Sequence, residues 1–211
     1  DSVASRGLGD VYKRQGCAGV CGKSATVANL QDKLTGALIG LAQSEKNTGL
    51  PRKETCKIIL EGLFTTVTNV NFNDETVKEM IDKVLEERKS IVPHCSKCDK
   101  TFGEYDDYDL NRLWSTDDDI RSLKSLILFG IRGMAAYAYH AMILGYSDDE
   151  VDEFLVRALD VIGNEDLKMD ELLPIVLEVG KVNLKCMELL DKANTETFGN
   201  PTPTEVSLEV E

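Results

Sequence analysis

The 211-residue chain is short of positive charge: 24 Lys and Arg stand against 37 Asp and Glu, a formal net charge of −13. That deficit opposes attraction to phosphate backbones and anionic lipid surfaces, so nucleic acid and membrane partners are disfavoured. Repeat periodicity, low-complexity tracts, a phosphate-binding glycine loop and a Ser/His/Asp arrangement are also missing. Repeat arrays, nucleotide-cradling loops and triad hydrolases are therefore poor readings. No secretory apolar segment precedes the six cysteines, which are irregularly spaced, and a chain of this size needs no disulfide staples. A reducing, cytoplasmic compartment is expected. With 42% hydrophobic residues, the chain can build one sizeable core or two small ones.

What is present is helical periodicity. Val27, Leu30, Leu34, Leu38 and Leu41 recur at spacings of three and four, which predicts a helix over about 24–44. A second is expected over 53–68, with Ile59, Leu63 and Phe64 inward, and a third after Asn73 as N-cap, burying Val77, Met80, Ile81, Val84 and Leu85. From Pro93 to Thr116 the pattern fails, which marks an irregular connection. A long fourth helix follows over 117–144, its acidic first turn matching the positive end of the helix dipole. Ser147 and Glu150 form a capping-box pattern for a fifth, and a sixth runs over about 170–193 with Pro174 in its first turn. Past Gly199 the alternation of Val206, Leu208 and Val210 reads as a strand. The expected fold is all-α, two consecutive three-helix bundles over about 16–92 and 117–195, with an N-terminal cysteine loop and a C-terminal strand.

Chemistry-bearing residues are few. Cys17 and Cys21 lie in the run Gly16-Cys17-Ala18-Gly19-Val20-Cys21-Gly22-Lys23, a glycine-rich loop ahead of a helix. Such a loop leaves backbone N–H groups free around inorganic sulfide, and cubane clusters are held by four thiolates. Two cysteines are half a site, and spacing alone fits unrelated thiols equally well. His94, Cys95 and Cys98 resemble half a zinc knuckle without its second half, and read as loop thiols. Asp106 to Asp109 and Asp117 to Asp119 lack the closing Glu of a calcium loop, and read as acidic surface and helix start. Cys56 and Cys186 sit on apolar helical patterns and are expected as small buried hydrophobes. The fourth helix is apolar enough to raise a membrane question, but Arg132 and His140 interrupt it, so a core helix is expected, with His140 a satisfied core residue.

The string Cys21-Gly22-Lys23, followed by Val27-Ala28-Asn29-Leu30-Gln31-Asp32-Lys33-Leu34, resembles the N-terminal region of hybrid cluster proteins, also called prismane proteins or hydroxylamine reductases. The likeness continues through Phe64 to Phe72, Asp119 to Lys124, Gly130 to Ala141, Leu189 to Thr195 and Gly199 to Val206. Members of that family begin with a Cys-x-x-Cys segment shortly upstream of the pair. Here residues 1–15 contain neither cysteine nor an initiator Met, and Ser5 to Gln15 reads like a translated sequencing adapter, so 1–15 is expected to be a non-native scar. The family's gap between its third and fourth cysteines is also longer than the three residues here, which weakens Cys17 more than Cys21.

The resemblance implies an iron–sulfur oxidoreductase that reduces hydroxylamine to ammonia and water, with nitric oxide a further substrate. Residues 16–199 would be its helical N-terminal domain, and 200–211 the linker and strand into an absent α/β domain. Cys17 and Cys21 would be two ligands of a relaying 4Fe–4S cluster, with Gly22 shaping the loop and Lys23 compensating cluster charge. A hybrid Fe–S–O cluster in the missing C-terminal part would bind substrate, and a redox protein would donate electrons. No catalytic residue is expected in this fragment. The competing readings are a carbon monoxide dehydrogenase relative and a non-catalytic helical electron-transfer or interaction module.

Overall fold

The computed structural model describes residues 23–46, 52–67, 71–91 and 108–203, and among these it holds seven α-helices and no strand. They are α1 (Ala25–Lys46), α2 (Lys53–Thr65), α3 (Asp74–Ile91), α4 (Leu110–Trp114), α5 (Asp118–Ile143), α6 (Asp149–Gly163) and α7 (Met169–Phe198). The all-α class expected from the periodicity holds. The cysteine loop, the adapter-like segment and the strand at Val206, Leu208 and Val210 lie outside the described residues.

Short polar side chains fix the helix starts. Asn73 Oδ1 accepts from the Glu75 N–H at 2.9 Å, and Asp117 Oδ1 from the Asp119 N–H at 3.0 Å. The cap of α6 is Asp148 rather than Ser147, its carboxylate accepting from the N–H groups of Glu150 and Val151 at 3.0 and 3.2 Å. An ionised carboxylate gains more than a hydroxyl at the positive end of the dipole. Helix α7 begins at Met169, with the Glu171 carboxylate accepting from the Lys168 N–H at 3.0 Å. Pro174 thus falls in the second turn, where it removes the bond to the Asp170 carbonyl. Within the stretch expected to be irregular, Asp109 caps the five-residue α4, which buries Leu110 and Leu113. One turn is too short for periodicity to register.

The two halves of the chain meet along one continuous core. Helix α1 packs on α3, α6 and α2, while α5 lies along α7 and also touches α2 and α6. From Leu34 to Ala42 every residue of α1 is buried, the mark of a helix enclosed on all sides. Leu34, Leu38 and Leu41 of α1 share that core with Ile59 and Leu63 of α2, Ile131 and Met134 of α5, and Phe154 and Leu159 of α6. Each such side chain contributes about 1.5–3 kcal/mol on leaving water. Helices α5 and α7 run parallel, with Gly130 against Val179 and Tyr146 Oη donating to Glu196 Oε2 at 2.7 Å. Helix α6 runs antiparallel to both, tied to α7 by the Arg157–Glu178 ion pair at 2.6 Å and to α5 by Lys124. By length and composition α5 could cross a membrane, but Ile127, Leu128, Ile131, Met134, Ala135 and Ala138 are buried in this core, which makes it a core helix as expected, while Leu126, Phe129 and Ile143 remain exposed on its outer side.

Asp152 is a stability sensor within α6. Burial first, then the like charges of Asp149 and Asp148, push its carboxyl up to about 6 from an ordinary 3.8, with Lys53 opposing. A raised carboxyl pKa means the folded state binds the proton more tightly, so the Asp152 contribution to stability falls as pH rises from about 4 to 6 and stays level above. Asp152→Asn is expected to stabilise the chain at pH 7.5 by about 1–3 kcal/mol and to have little effect at pH 4. Urea melts of both proteins at the two pH values check this difference.

Candidate functional site

Lys23 is the first described residue, two positions after Cys21, and it is buried at the entry to α1. Ser24 Oγ accepts from the Val27 N–H at 3.1 Å and starts the helix. Lys23 Nζ donates to Gln31 Oε1, and Gln31 Nε2 donates to the carbonyls of Thr65 at 3.3 Å and Asn71 at 3.2 Å. One buried glutamine thus ties the entry of α1 to the exit of α2. One turn further on, Thr35 Oγ1 donates to the Gln31 carbonyl at 2.8 Å and accepts from Arg132 Nη2 of α5 at 2.8 Å.

Two enclosed cations, Lys23 and Arg132, therefore stand at the N-terminal half of α1 in a chain of net charge −13. Burial pulls the Arg132 guanidinium down to about 10, against the opposing charge of Asp32, so it stays protonated at neutral pH. Its Nε is buried and has no hydrogen-bond partner among the described residues. An N–H left unpaired away from water costs about 1–3 kcal/mol, and an anionic acceptor relieves it. Beside this end, Phe64 stacks on Tyr139 with centroids 4.4 Å apart, and His140 meets Phe64 edge-on at 5.5 Å.

Cys17, Cys21 and Gly22 lie outside the described residues, as do His94, Cys95 and Cys98. Cys56 and Cys186 are buried, and burial, then mainly the nearby acidic side chains, pushes both thiols up to about 12, as befits inert core residues. His140 is exposed, which corrects its reading as a core residue. The core face of α5 runs through Ile127, Ile131, Met134, Ala138 and Ala141, and His140 falls a quarter-turn off it. Asp109, Asp117 and Asp118 serve helix starts, Asp118 pairing with Arg121 at 2.7 Å. No three His, Cys, Asp or Glu side chains converge on a metal position among the described residues. Sequence reasoning missed Gln31, and saw Arg132 only as an interruption of an apolar run. A polar residue on a core face of α1 and a cation on α5 were the available signals.

Fold and site together define an acidic all-helical domain whose first helix follows a two-cysteine sequence motif and holds Lys23 and Arg132 against its N-terminal half. The sequence profile of the Prismane/CO dehydrogenase family matches residues 12–211, and the chain belongs to that family, whose cofactors are iron–sulfur clusters. It is similar to proteins named hydroxylamine reductase. One from Methanococcus vannielii is 38% identical over 221 residues, covering 95% of this chain and 41% of the relative. One from Thermoanaerobacter pseudethanolicus is 38% identical over 226 residues, with 98% and 40% covered. A third, from Thermosipho melanesiensis, is 39% identical over 231 residues, with 97% and 41% covered. The chain spans about two fifths of the length of these relatives.

Proposed function

We propose that the chain is the electron-relay domain of an enzyme that reduces hydroxylamine to ammonia and water, with nitric oxide a second substrate. Hydroxylamine takes up two electrons and two protons as its N–O bond breaks. The names of the similar proteins support this reading over a carbon monoxide dehydrogenase. The observation that carries it within the chain is the pair of enclosed cations where the cysteine loop enters, because cubane clusters bound by thiolates are net anions. Their charge suits such a group.

Cys17 and Cys21 would supply two thiolates to a 4Fe–4S cluster, and the remaining ligands would come from outside this chain's motif. When bound, the cluster supplies one-electron transfer. Gly22 would let the backbone turn closely around it, and Lys23 and the Arg132 Nε–H would offset its negative charge and so favour the reduced form. A hybrid Fe–S–O cluster held by the part of the relatives' length not spanned here would bind substrate. A cytoplasmic redox protein is the proposed donor, and residues 1–15 are proposed as a non-native scar, although the family match begins at residue 12.

The test is anaerobic oxidation of a reduced low-potential dye by hydroxylamine. The full-length gene product is expected to turn over and the 211-residue chain to be inert. A full-length protein that is replete with iron yet inactive toward hydroxylamine overturns the proposal.

A further inference from the structure

Helix α7 is apolar on two faces. One buries Leu172, Val179, Val182, Cys186 and Ala193 in the core. The other carries Met169, Leu173, Leu177, Leu184, Met187 and Phe198, which are 45–74% exposed. At 100° per residue these six fall within a stripe about 80° wide on a helix about 45 Å long, unbroken from Met169 to Met187 and interrupted by Asp191 and Thr195 before Phe198. A solvated helix has no use for a second apolar stripe of this length, and monomers seldom leave one open. Gly180 lies midway along the stripe, with nothing within 4 Å of where its Cβ would stand, so a neighbour can reach the helix backbone there.

Two facts select the occupant. The stripe resumes in the last turn of α7 at Phe198, which is 74% exposed, and Gly199, at φ +84°, turns the chain out of the helix there. The chain also spans only 40–41% of the length of its relatives, so more polypeptide than this chain contains is available to cover the stripe. A second copy fits less well, because two chains of charge −13 repel.

We infer that the second face of α7 seats an apolar surface of the polypeptide that follows residue 203 in the full-length protein. This rests on the reading of the chain as part of a longer enzyme. Met169 and Met187 report on it directly, since dilute peroxide oxidises accessible methionine and mass spectrometry locates the sulfoxide. Both are expected to oxidise readily in the 211-residue chain, and at least about tenfold more slowly in the full-length protein. The double substitution Leu177→Ser and Leu184→Ser should move the melting temperature of the 211-residue chain by less than about 2 °C. It should lower that of the full-length protein by at least about 5 °C.

Equal oxidation rates in the two proteins overturn the inference. So does a 211-residue chain that sediments as a dimer with both methionines protected, which assigns the face to a second copy. Iron content separates this inference from the functional reading. An iron-free full-length protein with protected methionines sinks only the latter, and an active iron protein with exposed methionines sinks only the former.

Discussion

Replacing Lys124 with alanine is expected to cost about 2–5 kcal/mol of folding free energy. Lys124 lies on α5, fully buried, and its Nζ donates to the carbonyls of Ile162 at 3.1 Å and Asn164 at 2.5 Å. Those carbonyls close the C-terminal end of α6, where the last turn has no intrahelical donors and the dipole is negative. Desolvation lowers the Lys124 pKa, and Glu165 partly restores it. Alanine would leave both carbonyls unsatisfied, open a cavity and unpin α6 from α5. Lys124→Met restores volume but not the charge, so it should recover only part of the loss. Urea unfolding reads the effect as a fall in midpoint at unchanged m. A loss below about 1 kcal/mol for the alanine variant would show that the carbonyls find other donors.

Gly36→Ala is expected to destabilise the fold by about 2–4 kcal/mol, although alanine is the better helix former by about 1 kcal/mol. A Cβ at Gly36 would stand 2.2 Å from the Tyr108 carbonyl oxygen and 3.3 Å from its carbon. The obstacle is backbone, not the end of a flexible side chain. It precedes the Asp109 cap of α4, so the connection carrying Leu110 and Leu113 into the core must shift. Gly62→Ala is the control, because there the nearest atom is Leu38 Cδ2 at 2.7 Å, which can rotate away. A melting temperature for Gly36→Ala equal to or above that of the parent would refute the close approach of α1 to residue 108.

These two residues also mark how far the sequence could be read. Lys124 sits one turn before Ile127 and Leu128 on the core face of α5, so a cation at an apolar position was visible. What it binds was not, since Ile162 and Asn164 come near only through the antiparallel return of α6. Gly36 looked like an ordinary small residue in an apolar helix, and only the path of residue 108 across α1 gives it a role. Helices of three turns or more were legible because apolar spacing repeats along them, whereas α4 has one turn and left no pattern. The Asn73 cap was read correctly from its type and place. The α6 cap was displaced by one residue because Ser147 and Asp148 both suit the position, and electrostatics decides between them. The cysteines of the entry motif stand out by type and spacing, and lie outside the described residues. The partnership of Lys23, Gln31, Thr35 and Arg132 was not legible, because it joins residues 97 positions apart in the chain.

Whether the loop entering α1 binds iron is decided most directly by the metal and sulfide content of the full-length gene product purified without oxygen, beside its Cys21→Ser variant. A brown protein is expected, with about four iron atoms assignable to a cubane cluster that the variant loses. A colourless protein free of iron, or a Cys21→Ser variant that retains the whole cluster content, would contradict it.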